Sequence, residues 1–196
     1  DRIIDIHKFA SDNLYNIHFS LLPSYKGVYT SAWPLLNGDN KSGVTLHVID
    51  EGIDTGDIIA QREFPVKDND NCRDLYFKYT KYGIDLLKKN FLKVVKGDYI
   101  TKKQSASGSS YYSKSSINYA NLEIDLNKTA YEIRNQIRAF TFAEYQVPVI
   151  HEYQINSSEI LGSSSQLKPG TILHMADAHI DITTIDYDLR LIKAHA

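Results

Sequence analysis

Apolar and polar residues nearly alternate over 14–22 (LYNIHFSLL), the two-residue period of a half-buried strand, and Pro23 ends it. A loop is expected over 24–30, turned at Gly27, and then a short helix over 31–37 that stops at Asn37-Gly38. Residues 43–50 (GVTLHVID) are β-branched and apolar and predict a second strand. The run 50–57 (DEGIDTGD) is a turn-rich loop, and 58–66 reads as a third strand. Past a polar stretch at 68–71, residues 73–96 carry a helical pattern. Leu75, Tyr79, Tyr82 and Leu86 recur at four, three and four residues, and Gly97 supplies a stop. Residues 104–116 (QSASGSSYYSKSS) are Ser-rich and are expected to be a linker or mobile loop. A helix follows over 128–140, with Ile133, Ile137 and Phe140 on one face. Short strands are expected at 145–155 and 170–193, around a second Ser-rich loop at 162–165. No internal repeat is present. The predicted order divides the chain into a mixed α/β part, 1–103, and a smaller helix-plus-strand part, 104–196.

Composition narrows the function classes. The chain has 196 residues, 42% hydrophobic and 23% charged, as ordinary folded soluble chains do. Lys+Arg 22 against Asp+Glu 24 gives a net charge of −2, so charge alone draws in neither DNA nor a large RNA. A single cysteine, Cys72, excludes an intrachain disulfide, argues against a cysteine-based zinc site and fits a reducing cytosol. No apolar run approaches the ~18 residues that span a bilayer. Residues 1–5 (DRIID) hold neither an initiator Met nor a signal-peptide core, so a mature product or, in preference, a part of a longer protein is expected.

Candidate chemistry gathers early in the chain. Asn16 and His18 are two apart on a predicted strand, so their side chains share a face. Asp54 stands in the glycine-flanked loop after the next strand, where α/β proteins place ligands and catalysts. A carboxylate near His18 favours imidazolium, and the Asn16 amide can donate to a developing oxyanion. On spacing alone the bland alternatives stay open: an ordinary strand pair, and a turn carboxylate bound to its own loop amides. His47 reads equally as a supporter of the site or a hydrogen-bonded core histidine. Gly52 and Gly56 supply backbone freedom, since no phosphate-cradling G-x-G-x-x-G precedes a helix here. Ser20 lacks nucleophile-elbow glycines. Tyr25, Lys26 and Tyr29 follow the strand on the loop turned at Gly27. Arg134 and Arg138, four apart on one helix face, can clamp a diphosphate or simply face solvent. The histidines (7, 18, 47, 151, 174, 179 and 195) are scattered along the chain.

The block 16–23 (NIHFSLLP), with Tyr25-Lys26-Gly27, Trp33, Asn37-Gly38, Gly43-Val44-Thr45 and Asp54-Thr55-Gly56, resembles the folate-dependent formyltransferases. These include phosphoribosylglycinamide, methionyl-tRNA and nucleotide-sugar N-formyltransferases. The resemblance places Asn16, His18 and Asp54 on the family's catalytic Asn, His and Asp. It implies an α/β fold: the C-terminal part of a Rossmann-like catalytic domain, then a small α+β region of helix plus β-hairpin. It also implies transfer of a formyl group from N10-formyltetrahydrofolate, the co-substrate, to an amine, without a metal. Asn16 and protonated His18 would stabilise the oxyanion; His18, or a water held by Asp54, would carry the amine proton to the leaving folate.

Segments 29–38 (YTSAWPLLNG) and 140–148 (FTFAEYQVP) look most like the nucleotide-sugar enzymes. The implied acceptor is a dTDP-linked amino-dideoxy sugar, first 4-amino-4,6-dideoxyglucose and second a 3-amino sugar, used for surface polysaccharide such as O-antigen. On this reading Tyr25, Lys26, Tyr29 and Arg138 bind substrate, and His47, Gly52 and Gly56 support the site. Arg138 lies in Ile137-Arg138-Ala139-Phe140, which resembles a segment of the family's C-terminal region. A cytoplasmic homodimer is implied, with no DNA and no membrane partner. A methionyl-tRNA formyltransferase and a non-catalytic nucleotide-sugar-binding fragment are the alternatives.

Overall fold

A computed structural model describes residues 6–11 and 13–194; residues 1–5 and His195 lie outside the described residues. In chain order the elements are β1 (Tyr15–His18), β2 (Lys26–Gly27), α1 (Trp33–Leu36), β3 (Lys41–Val48), β4 (Ile58–Pro65) and α2 (Cys72–Lys96). They continue with β5 (Tyr111–Tyr112), α3 (Ala130–Phe140), β6 (Val149–Ile150), β7 (Tyr153–Ile160), β8 (Ile172–Met175), β9 (His179–Ile182) and β10 (Leu189–Lys193). This mixed helix and sheet content agrees with the α/β expectation. Contacts group the chain into two compact units. The first takes residues through 30, 40–67 and 75–116; the second takes 31–39, 68–74 and 117 onward.

The first unit is built on a three-stranded antiparallel sheet ordered β1-β3-β4. The central strand β3 is buried continuously from Ser42 to His47, and its enclosed polar residues are hydrogen-bonded: Ser42 Oγ with the Tyr79 hydroxyl, Thr45 Oγ1 to Ser20 O and His47 Nδ1 to Val48 O. Strand β1 is shorter than the alternation over 14–22 predicts. From Phe19 the chain turns instead: Ser20 Oγ donates to Ser24 O (2.6 Å), and Leu22 N donates to Thr45 Oγ1 (3.1 Å). The apolar residues of that turn are buried by packing rather than by pairing, and the period cannot tell the two apart.

Helix α2 buries the predicted stripe. Leu75, Tyr79 and Leu86 are buried, and Tyr79 stacks on Phe19 at 5.3 Å. Phe64 of β4 meets Tyr79 edge-on at 5.2 Å and Tyr82 at 4.9 Å. The helix starts one residue before the expected position because Asn71 and Asp74 exchange side-chain-to-backbone bonds (3.0 and 3.1 Å) at its first turn. Phe77, Ile84, Phe91 and Val95 remain exposed.

The Ser-rich stretch is not a free linker. Strand β5 pairs in parallel with β2 (Lys26↔Tyr111, Gly27↔Tyr112), Tyr25 N donates to Ser110 Oγ (2.8 Å) and Ser24 Oγ donates to Gly108 O (2.8 Å). Composition reads these serines as solvated; here their backbone and hydroxyl groups satisfy a loop some 85 positions earlier. Gly27 is required for the pairing. Its φ is +91°, and a Cβ would lie 2.1 Å from Tyr112 O.

In the second unit, α3 begins at Ala130 rather than at 128. Thr129 is held extended as the N-cap of a capping box: Glu132 N donates to Thr129 Oγ1 (3.1 Å) and Thr129 N to Glu132 Oε2 (3.0 Å). The Thr129 hydroxyl (2.7 Å) and the Thr129 backbone N–H, both donating to the Glu132 carboxylate, hold it below its usual pKa. Ile133 and Ile137 join Ile155, Ile180, Ile182, Leu189 and Leu191 in one core. The sheet beneath is not a single hairpin but five antiparallel strands in the order β6-β7-β10-β9-β8. The strand expected at 145–155 is a hairpin. His151 (φ +49°) and Glu152 (φ +65°) make its two-residue turn without the Gly or Asn that announces one in a sequence. Across β9 and β10, Arg190 grips Asp181 with two bonds of 2.8 Å and keeps that carboxyl below its usual pKa.

Cys72 is buried, and burial pushes its thiol up to about 12, so it stays protonated and unreactive. Iodoacetamide at mildly alkaline pH is expected to leave Cys72 unmodified in the folded protein and to alkylate it in urea. Equal labelling by mass spectrometry in both states would contradict that burial.

Candidate active site

Antiparallel register brings the first polar groups together: Asn16 on β1 lies across from His47 on β3. The loop after β3 then returns Asp54 to them. The Asp50 carboxylate accepts from Gly52 N (3.2 Å) and Thr55 Oγ1 (2.6 Å), which bends the loop over itself. At Gly56 a Cβ would fall 1.9 Å from Val48 O, so this close backbone approach admits only glycine. Asp54 itself has φ +54°, in the left-handed region.

The Asp54 carboxylate binds outside its own loop. Oδ2 accepts from Gly27 N at 2.9 Å and stands 3.4 Å from His18 Nδ1; Oδ1 lies 3.5 Å from Asn16 Nδ2 and 3.7 Å from His47 Nε2. His18 Nε2 meets Tyr25 O at 2.8 Å. A carbonyl only accepts, so Nε2 carries a proton there while Nδ1 faces the carboxylate. His47 is buried, and its Nδ1 donates to Val48 O at 2.8 Å. Burial is the largest influence on His47 and lowers its pKa, outweighing the upward pull of the Val48 bond and Asp54. A neutral His47 with Nδ1 protonated offers Nε2 as an acceptor, so the Asn16 amide, 3.3 Å away, donates to it. His47 is thus both buried and in contact with the polar cluster.

Asn16, His18, His47 and Asp54 form one wall of a cavity of about 590 Å³. Ile49 and Ile53 supply apolar surface, and Tyr111, Tyr112, Ser113 and Lys114 also line it. From the loop after β1, Gly27 and Val28 line the cavity, and Gly52 does so from the Asp54 loop. Tyr25 instead stacks on Tyr112 at 6.0 Å, and Lys26 Nζ donates to Ser109 Oγ (3.1 Å). Tyr29 adopts φ +61° just beyond. Arg138 is placed in the second unit, where its guanidinium donates to Asp70 O (3.1 Å) and Asn135 Oδ1 (2.6 Å). Burial, with Arg134 beside it, lowers the pKa of Arg138. Arg134 donates to Asp68 O (2.8 Å), so neither arginine simply faces solvent.

Sequence reasoning missed Gln104, whose amide reaches the backbone of the Asp54 loop, and the lining role of Ser113 and Lys114. Their segment carried only a Ser-rich signature, which says nothing of where its backbone pairs. Among the described residues no group of three or more His, Cys, Asp or Glu is placed to hold a metal ion. None of their helices is long and apolar enough to cross a membrane.

This fold and polar cluster define a known class of protein: the chain belongs to the formyltransferase family. Residues 6–95 match the formyl transferase domain and residues 116–196 the formyl transferase C-terminal domain. The chain is similar to an N-formyltransferase from Helicobacter canadensis, solved in complex with folinic acid and dTDP-3-aminofucose. That likeness has 45% identity and a TM-score of 0.89, over 99% of this chain and 71% of the other. It is equally similar to WlaRD, a sugar 3N-formyltransferase solved in the presence of dTDP and 5-N-formyl-THF, with 45% identity and a TM-score of 0.89 over 100% of this chain and 70% of that one. A methionyl-tRNA formyltransferase of Clostridium beijerinckii is 33% identical over 97% of this chain, which spans 60% of that protein's length.

Proposed function

We propose that the protein transfers a formyl group from N10-formyltetrahydrofolate to the amino group of a dTDP-linked amino-dideoxy sugar. The observation that carries this reading is the convergence of Asn16, His18 and Asp54, from a strand and a distant loop, on one cavity wall. The cavity volume falls in the range of small-molecule sites, about 300–1,000 Å³. Its mix of apolar Ile49 and Ile53 with a few convergent polar groups suits an organic donor and a polar acceptor.

As the amine adds to the formyl carbon, negative charge gathers on the formyl oxygen. Asn16 Nδ2 gives one hydrogen to His47, and its second, in long contact with Asp54, is the donor for that oxygen. Asp54 and His18 Nδ1, 3.4 Å apart, take up the proton that the amine gives up while the Gly27 amide steadies the carboxylate; the adduct then collapses, the formyl C–N10 bond breaks, and that proton passes to N10, so that the formamide and tetrahydrofolate leave. Tyr25 O fixes the His18 ring from its other side.

Support for a sugar acceptor comes from the two structures at 45% identity, both tied to 3-amino or 3-N chemistry. On that support we take a 3-amino-3,6-dideoxy sugar as the first acceptor to test, ahead of the 4-amino isomer. The methionyl-tRNA reading draws on the 33% identical relative, yet a net charge of −2 offers no basic surplus for a tRNA. On the sugar reading the enzyme is a cytoplasmic homodimer that supplies a formylated sugar for surface polysaccharide, which rests on family resemblance.

The test incubates the complete protein carrying this chain with N10-formyltetrahydrofolate and, separately, dTDP-3-amino-3,6-dideoxyhexose, its 4-amino isomer and methionyl-tRNA. Mass spectrometry should find the gain of one carbonyl unit on the 3-amino sugar nucleotide. A gain only on the 4-amino isomer moves the amine; a gain only on the tRNA replaces the acceptor. Silence with all three overturns the reading.

A further inference from the structure

We infer that Gln104 is a positioning residue for Asp54, an inference that rests on the formyl-transfer reading above. Backbone pairing delivers it: Ile58 and Lys102 exchange two bonds of 2.8 Å, which ties the chain after α2 to the start of β4. Two residues on, Gln104 Nε2 donates to Asp54 O and to Gly56 O, both at 2.8 Å. One nitrogen thus uses both of its hydrogens on two carbonyls of a single turn and fixes their separation. A flipped amide would set Oε1 against both carbonyls and lose both bonds, so the orientation is determined.

What this fork holds in place is a strained residue. Asp54 is non-glycine at φ +54°, a conformation that persists only where its surroundings over-determine it. Asp50 braces the N-terminal side of the turn through Gly52 and Thr55; Gln104 braces Asp54 itself and Gly56. The result is a carboxylate aimed at Gly27 N (2.9 Å) and His18 Nδ1 (3.4 Å). With the fork removed the turn relaxes, and both distances lengthen. Gln104 lines no part of the cavity, so its effect is transmitted through Asp54 rather than by touching a substrate.

The experiment uses the complete protein and the variants Gln104→Met, which keeps length and volume but removes the donors, and Gln104→Glu, which sets an acceptor against two carbonyls. With the acceptor found in the assay above, Gln104→Met is expected to lower kcat about 10- to 100-fold. KM for both substrates should stay within about threefold. In an Asp54→Asn background the same change should alter the residual rate by less than about threefold, because the residue it acts through is already disabled. Losses that multiply, a kcat left unchanged, or a rise in KM alone would overturn the inference. A second readout needs no turnover. By NMR the Gly27 amide, bonded to Asp54 Oδ2, should exchange with solvent faster in both variants while the thermal transition stays cooperative. Unchanged Gly27 exchange refutes Gln104 positioning even if wild-type protein is active. Wild-type silence with every acceptor refutes the reaction and leaves the exchange result to decide for Gln104.

Discussion

On the formyl-transfer reading, Asp54→Asn is expected to lower kcat by about 10²–10⁴-fold, the range that a positioned acid–base group contributes. The substitution keeps the side chain's shape but removes its charge beside His18 Nδ1, 3.4 Å away. The carboxamide faces conflicting partners: the Gly27 amide, 2.9 Å away, needs an acceptor, and so does Asn16 Nδ2 at 3.5 Å. An amide satisfies one of them and sets an N–H against the other. Binding of both substrates depends on the rest of the cavity, so the loss should fall on kcat more than on KM. Steady-state kinetics on a protein with an unaltered thermal transition checks this. A kcat within about threefold of wild type would remove Asp54 from the chemistry.

The second large effect is on the fold. Phe64→Ala should destabilise the protein by about 3–5 kcal/mol, as deletion of a buried aromatic ring does when its neighbours cannot collapse. Phe64 is 2% exposed and touches both Tyr79 and Tyr82, joining β4 to α2. Tyr79 cannot move into the gap, because its hydroxyl is bonded to Ser42 Oγ (2.7 Å) and to Thr30 O (3.2 Å). Urea unfolding measures the change; a loss below about 1 kcal/mol would mean that the site repacks.

Local signals were legible where local physics decides the outcome. The stripe Leu75, Tyr79, Tyr82 and Leu86 places α2 because burying that one face is what holds the helix. The β-branched and apolar residues of β3 are read correctly as a strand, and the Asn16/His18 spacing does set both groups against Asp54. Elsewhere the decision is made far along the chain. The alternation over 14–22 continues past His18, yet bonds from Ser20, Leu22 and Thr45 turn it into a loop. Nothing at 104–116 says that its backbone pairs with Lys26 and Gly27. The hairpin at His151-Glu152 forms against the turn preferences of both residues, within a sheet of five strands. Gln104 was illegible for the same reason: its meaning comes from two carbonyls fifty positions away.

The β2–β5 pair also fixes an order of events during synthesis. Asn16, His18, His47 and Asp54 are all translated by residue 54, but Gln104 and β5 follow only after the whole of α2. A nascent chain paused within α2 therefore carries the site's acid–base groups without the segment that clamps and roofs them. Contacts of such sequence separation are the slow ones to form. The cluster is thus braced late in synthesis, well after its own side chains have emerged.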